Sequence, residues 1–265
     1  MLRLFRNIRQ RLFLRRPEGY EGHVLEGWVS RYFGYAVGEI VLIVVGILLA
    51  LQISEWNQGR KDRAEETEIL LRLKGEMTVN QTEAKRLKAF YRNTANEMRD
   101  FLDLIKPDPE PLAREELINY VRKLWISPEY SPSRGVWDTL IASGKIGLIE
   151  NDLIITKLNA WSSSFGVYED TLKSRDINIE RYKVALEKYY GFRDAMLMPE
   201  DWMRPLNPSN FNHDSQVLLA MPELENAAEF ARLNLAMLAR DMEKIETLQN
   251  EVISLIDAEL AERGM

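Results

Sequence analysis

The sequence has 265 residues, a formal net charge of −6, no cysteine and two histidines. The missing thiols exclude a disulfide framework and a thiolate metal site, and His23 and His213 lie too far apart in the chain to suggest imidazole chemistry. Met1 to Arg31 carries seven arginines against three glutamates, a net +4 that leaves −10 for the rest against the overall −6. That acidic remainder, with no basic stripe in its pattern, argues against nucleic acid as a partner.

Residues 1–16 (MLRLFRNIRQRLFLRR) place Leu2, Phe5, Ile8 and Leu12 along one helical face, with Arg3, Arg6, Arg9 and Arg11 over the rest. The pattern predicts a basic amphipathic arm lying at a membrane surface, its cations among anionic headgroups at about 1 kcal/mol each, in preference to an unstructured basic tail. Residues 17–31, polar and Gly-containing, form a connector.

Residues 32–53 (YFGYAVGEIVLIVVGILLALQI) hold one ionisable side chain, Glu39, and an unbroken apolar core from Ile40 to Leu51. At about 1.5 Å per residue this run crosses a hydrocarbon layer roughly 30 Å thick, so it is predicted to be a single transmembrane helix in a lipid bilayer. Inserting Glu39 costs about 3 kcal/mol at most, and the Leu, Ile and Val residues around it, at roughly 0.3 to 0.6 kcal/mol each, outweigh that cost. Trp28, Tyr32 and Tyr35 mark one interface and Trp56 the other. Gly34, Gly38, Gly46 and Ala50 recur at four-residue spacing, with Leu42 filling the gap, as a helix-association stripe, and the first pair makes a GxxxG. At 100° per residue Glu39 lies about 20° from Gly46, so the acid is expected beside the stripe, inside a homo-oligomeric bundle of spans.

Orientation rests on two opposed signals. Arg60, Lys61 and Arg63 follow the span, but seven arginines precede it on a short tail that must cross as a whole. The expectation is an amino end in the cytoplasm and the bulk of the chain outside a bacterial inner membrane. No small-x-small site follows the apolar core, against a cleaved signal peptide.

Phe5, Ile8, Arg9 and Gln10, then Tyr35, Ala36, Gly38, Glu39, Gly46, Ile47, Leu48, Ala50, Leu51, Gln52, Trp56 and Asn57, form a string that resembles the amino-terminal signature of a bacterial family of uncharacterised single-span membrane proteins. The resemblance covers chiefly the first sixty residues, with a weaker echo at WDTLIASGKIGLIEN, and the connector between Arg16 and Tyr32 is longer here. It implies the single-span layout and no reaction.

Residues 54–265 read as an all-α domain outside the membrane. No proline falls between Glu55 and Lys106, and a 3-4 alternation runs through Leu70, Leu73, Met77, Asn80, Ala84, Leu87, Tyr91, Thr94, Met98, Phe101 and Ile105. Such a row predicts lengthwise packing on long partners, with Asn80 and Thr94 fixing register. PDPEP (107–111) stops this helix, and a shorter one is expected from Leu112 to Ile126. Ser131 and Pro132 are expected to cap and open a helix over Val136 to Ser143, Gly144 to close it, and Asn151 to cap the next. Trp137, Leu140, Ile146, Leu148 and Ile149 should pack as a structural corner, with a ligand cleft as the rival reading.

A second row runs Ile154, Leu158, Trp161, Phe165, Tyr168, Leu172, Arg175, Ile179, Tyr182, Leu186 and Tyr189. A third runs Leu224, Ala228, Ala231, Leu235, Leu238, Met242, Ile245, Val252 and Ile256, broken at Gln249. Three long helices and two short ones specify an elongated antiparallel bundle. Between the last two rows, Gly191 to Met221 forms a long connection whose anchors, Trp202 and Phe211, are the candidate partner-binding loop. His213, Asp214 and Ser215 are adjacent, but adjacency alone does not make a triad.

No nucleotide-loop, nucleophile-elbow, zincin or EF-hand motif occurs, so no catalytic, cofactor or metal site is expected. The expected function is that of a non-catalytic, membrane-anchored helical protein that self-associates through its span and binds another envelope component. The alternatives are proton or cation handling by Glu39 in an oligomeric membrane complex, and extracytoplasmic ligand sensing.

Overall fold

The computed structural model describes residues 26–125, 127–187, 193, 207, 209–211 and 214–264. The arm 1–16, both histidines, Tyr189 and Trp202 lie outside them. Among the described residues there are six α-helices, one 3-10 turn and no strand. The helices are α1 (Glu26–Leu102), α2 (Arg114–Trp125), α3 (Gly135–Ser143), α4 (Asp152–Glu187), α5 (Ser215–Leu219) and α6 (Pro222–Glu262), with the 3-10 turn Lys145–Leu148 between α3 and α4. Helix α1 begins at Glu26, inside the expected connector, and the span runs on into the first bundle helix without a break.

The chain divides into two units, Met1–Lys61 and Asp62–Met265. In the first, the apolar side chains from Val37 to Ile53 are all exposed, and the Arg60 guanidinium lies 5.1 Å above the Trp56 ring.

The second unit is a helical bundle around one core. All eleven positions of the first predicted row are buried, from Leu70 at 0% exposure to Ile105 at 9%, because a 3-4 alternation keeps one stripe of a helix facing inward. The third row is buried throughout, and Gln249, which looked like its interruption, is buried as well. Pairs crossing between helices give their directions. Lys74 reaches Asp257 at 2.5 Å and Lys88 reaches Glu246 at 2.5 Å, so α6 runs antiparallel to α1. Lys157 meets Glu251 at 2.7 Å and Thr171 meets Asp241 at 2.7 Å, so α6 is also antiparallel to α4. These ion pairs are mostly half-exposed and fix register more than they stabilise.

The second row departs from its pattern in the middle. Leu172 and Ile179 are only partly buried, while Thr171 and Asn178 turn inward; Arg175 is buried as the row expected. The seam shifts by one residue at 171 and 178 and keeps the predicted row at 175 and 182; Thr171 Oγ1 donates to Asp241, and Arg175 pairs with Glu129 at 2.7 Å and Asp176 at 2.8 Å.

Helix α2, the segment 127–134 and α3 run along α1. Phe101 stacks on Tyr120 with ring centroids 4.9 Å apart, and Lys123 meets Glu97 at 3.0 Å. The expected capping of α3 by Ser131 does not occur. The helix starts at Gly135, its cap residue Arg134 makes no side-chain capping bond, and Glu76 of α1 accepts from Val136 N at 2.6 Å instead. A carboxylate from a neighbouring helix thus serves the free N–H groups of this terminus. Gly144 closes α3 at φ 71°, and Asn151 Oδ1 accepts from Leu153 N at 3.1 Å, both as expected. Trp137, Leu140 and Ile149 are buried and Ile146 and Leu148 partly so, which makes the corner a packed one.

Helix α5, inside the expected long connection, holds the turn after α1. Lys106 N donates to Leu219 O at 3.1 Å, Leu112 N to Ser215 Oγ at 3.0 Å, and Gln216 Nε2 to Pro109 O at 3.0 Å.

Candidate functional site

Among the described residues, the span is the one long run of apolar side chains left exposed. Gly38, Glu39, Gly46 and Ala50 all fall on α1 and are exposed, and Gly34 lies on the same helix. Gly34 to Ala50 spans about 24 Å of axis. A Cβ added at Gly38 or Gly46 would meet nothing within 4 Å, so these two glycines make room for no described residue of this chain. Glu39 makes no hydrogen bond or ion pair with any described residue. The contrast with the bundle, where the seam residues are sealed from water, is chemical as well as geometric. A strip of Ile, Leu and Val left bare in water is unfavourable by about 25 cal/mol per Å². The helix is long and apolar enough to cross a membrane, where that cost disappears.

Of the loop candidates, Phe211 is 78% exposed, its backbone N donating to Ser209 Oγ at 3.2 Å. Its neighbours are structural. Asp214 caps α5 by accepting from Gln216 N at 3.0 Å and Val217 N at 3.4 Å, and Ser215 is buried against Leu112 N.

Inside the bundle, a polar network that the sequence pattern did not reveal pins segment 127–136 to α1, α4 and α6. Tyr91 Oη donates to Pro128 O at 2.5 Å and lies 3.0 Å from Tyr168 Oη, which accepts from Tyr130 N at 2.7 Å. Gln249 Nε2 donates to Tyr130 Oη at 2.8 Å, and Asn80 brackets Ser133, donating to its O at 2.7 Å and accepting from its N at 2.8 Å. Burial pushes the Tyr130 phenol up to about 12 and raises Tyr91 further, so both stay protonated donors. Each of these groups satisfies backbone or a neighbour. The only advance signal was polar residues such as Asn80 standing on an otherwise apolar seam. At the other end, Arg263 reaches buried Glu66 at 2.7 Å, and Glu66 also accepts from Glu150 N at 2.9 Å.

Among the described residues no group of three or more His, Asp or Glu side chains is placed to hold a metal ion. An open groove of about 400 Å³ runs between α1 and α3, bordered by Ile69, Arg72, Val136 and Lys145.

A model described as a family of unknown function, DUF6090, matches residues 39–179, just over half of the 265. The chain belongs to this family. The DUF6090 region opens at Glu39, takes in Gly46 and Ala50, continues through α1, α2, α3 and the pinned segment, and ends inside α4. It leaves out Phe211, α5 and α6. No curated protein and no solved structure matches the chain.

Proposed function

We propose that this chain is a non-catalytic, membrane-anchored helical protein of the bacterial inner membrane. It self-associates through its span and presents its bundle, outside the cytoplasm, to another component of the cell envelope. The observation that carries this reading is the bare apolar segment of α1, where Gly38 and Gly46 open a strip that no described residue of the chain fills. In lipid, close approach of helix backbones at small residues supplies the packing that drives association. The arginine-rich amino end supports the orientation.

Crosslinking of the full chain in native membranes tests the association. Dimers or higher species are expected for wild type, reduced several-fold in Gly38→Ile/Gly46→Ile, and a wholly monomeric wild type overturns the reading.

A second reading draws on Glu39, an acid paired with no described residue and about 20° around the helix from Gly46. In this reading it handles protons or cations inside the oligomer. Proton flux in vesicles carrying Glu39→Gln is then expected to fall, and flux equal to wild type removes this role.

A further inference from the structure

The acidic bundle contains a groove where cations outnumber the carboxylates beside them. An open groove of about 420 Å³ lies between α1 and α6, with Lys88, Arg92 and Arg99 on one wall and Arg232 and Arg240 on the other. Its floor is short, at Ala95, Ala236 and Ala239, and a single carboxylate, Glu243, lines it. The four- and seven-residue spacings of 88, 92 and 99 on α1, and the eight-residue spacing of 232 and 240 on α6, bring these side chains to one face of each helix.

The state of the arginines sets this groove apart from most of the surface, Arg181 over the Phe230 ring at 6.0 Å being an exception outside it. Elsewhere on the bundle, Arg63, Arg72, Arg86, Arg134, Arg175 and Arg263 each hold a carboxylate. In the groove, Lys88 is held by Glu246 at 2.5 Å and Arg232 by Glu229 at 2.6 Å. Arg92, Arg99 and Arg240 make no side-chain hydrogen bond or ion pair with any described residue. Three like charges converging on one cleft repel, and an arrangement of this kind is relieved by a bound anion. The guanidinium fork matches carboxylate and phosphate oxygens in pairs, which suits it to such a ligand better than an ammonium.

We propose that the groove between α1 and α6 binds a small polyvalent oxyanion, a solute carrying two or more phosphate or carboxylate groups, through Arg92, Arg99 and Arg240. The volume suits a compact compound of this kind, and the alanine floor lets it approach the helices closely. The site is independent of how the span associates.

The test is calorimetric titration of the full chain in detergent micelles, in about 0.1 M salt, with inorganic tripolyphosphate in one arm and citrate in the other. Saturable binding of one ligand per chain is expected in at least one arm, and the arm that binds identifies the phosphate or the carboxylate source. Arg92→Gln/Arg240→Gln is expected to weaken binding tenfold or more, while Lys157→Gln/Lys173→Gln, which removes the same charge elsewhere on the bundle, changes it less than twofold. Ala236→Glu, at an exposed helical position on the floor, gives a second route to the same loss without touching the arginines. Absence of saturable binding in both arms overturns the proposal, as does an equal loss in the two double variants, which marks diffuse charge attraction only.

Discussion

Glu76 stands one position before Met77 of the buried row, and its carboxylate does the work expected of Ser131, accepting from Val136 N at 2.6 Å. Burial, more than any neighbour, raises its pKa above the ordinary carboxylate value. The bonds from Val136 and Trp137 oppose this, Asp138 adds to it and Arg134 subtracts from it. The folded chain therefore holds this proton more tightly than the unfolded one. The stability gained from neutral Glu76 is fully present below the ordinary carboxylate pKa and is lost as pH rises through the raised value. Comparing melts of wild type and Glu76→Gln from acid to neutral pH should show a flatter curve for the variant, which matches or exceeds wild type at neutrality. Glu76→Ala, which strips the acceptor from the α3 terminus, is expected to lower stability by about 1 to 2 kcal/mol at any pH. Tyr168 poses the same question for the network. Its Oη accepts from Tyr130 N at 2.7 Å, so Tyr168→Phe leaves a buried donor without a partner and should cost about 1 to 3 kcal/mol in denaturant unfolding.

At the scale of elements, the long helices were legible because burial imposes a period, and a period survives in a linear string. The row from Leu70 to Ile105 needed only the positions of apolar side chains. The shift at Thr171 was not legible. Thr171 turns inward because Asp241 waits for it, and that partner is not visible from α4 alone, whereas buried Arg175 already stood in the predicted row. The cap of α3 was missed for the same reason, its acceptor standing 60 residues upstream. Gly144 was legible, since a left-handed stop after a helix favours glycine whatever packs around it. At φ 71° with nothing within 4 Å of an added Cβ, Gly144→Ala meets a purely conformational penalty, expected at about 1 to 2 kcal/mol. Gly147→Ala, three residues on and not at positive φ, should change stability by less than about 0.5 kcal/mol, and thermal melts of the two variants check the difference.

On the scale of the whole molecule, the second unit buries its apolar seams within itself, while the apolar side chains from Val37 to Ile53 in the first stay exposed. Among the described residues, every buried one lies between Glu66 and Leu260, and none lies in the span. A chain starting at Asp62 should therefore stay in aqueous solution, keep a helical circular-dichroism spectrum and melt cooperatively; aggregation or loss of helicity on removing 1–61 would show that the bundle leans on the span. The span was plain in the sequence because hydropathy along one helix is a local property. The cationic groove was not, since Lys88, Arg92 and Arg99 meet Arg232 and Arg240 only after more than 130 intervening residues have folded back antiparallel. That return has a price in time. The row beginning at Leu70 finds one of its covers in the row beginning at Leu224, and at about 5 to 20 residues per second the ribosome needs roughly 8 to 30 s to travel between them. Throughout that interval the nascent polypeptide displays a sticky stripe to its neighbours, which makes its own synthesis the moment at which it is most open to mismatched pairing or to a chaperone's grip.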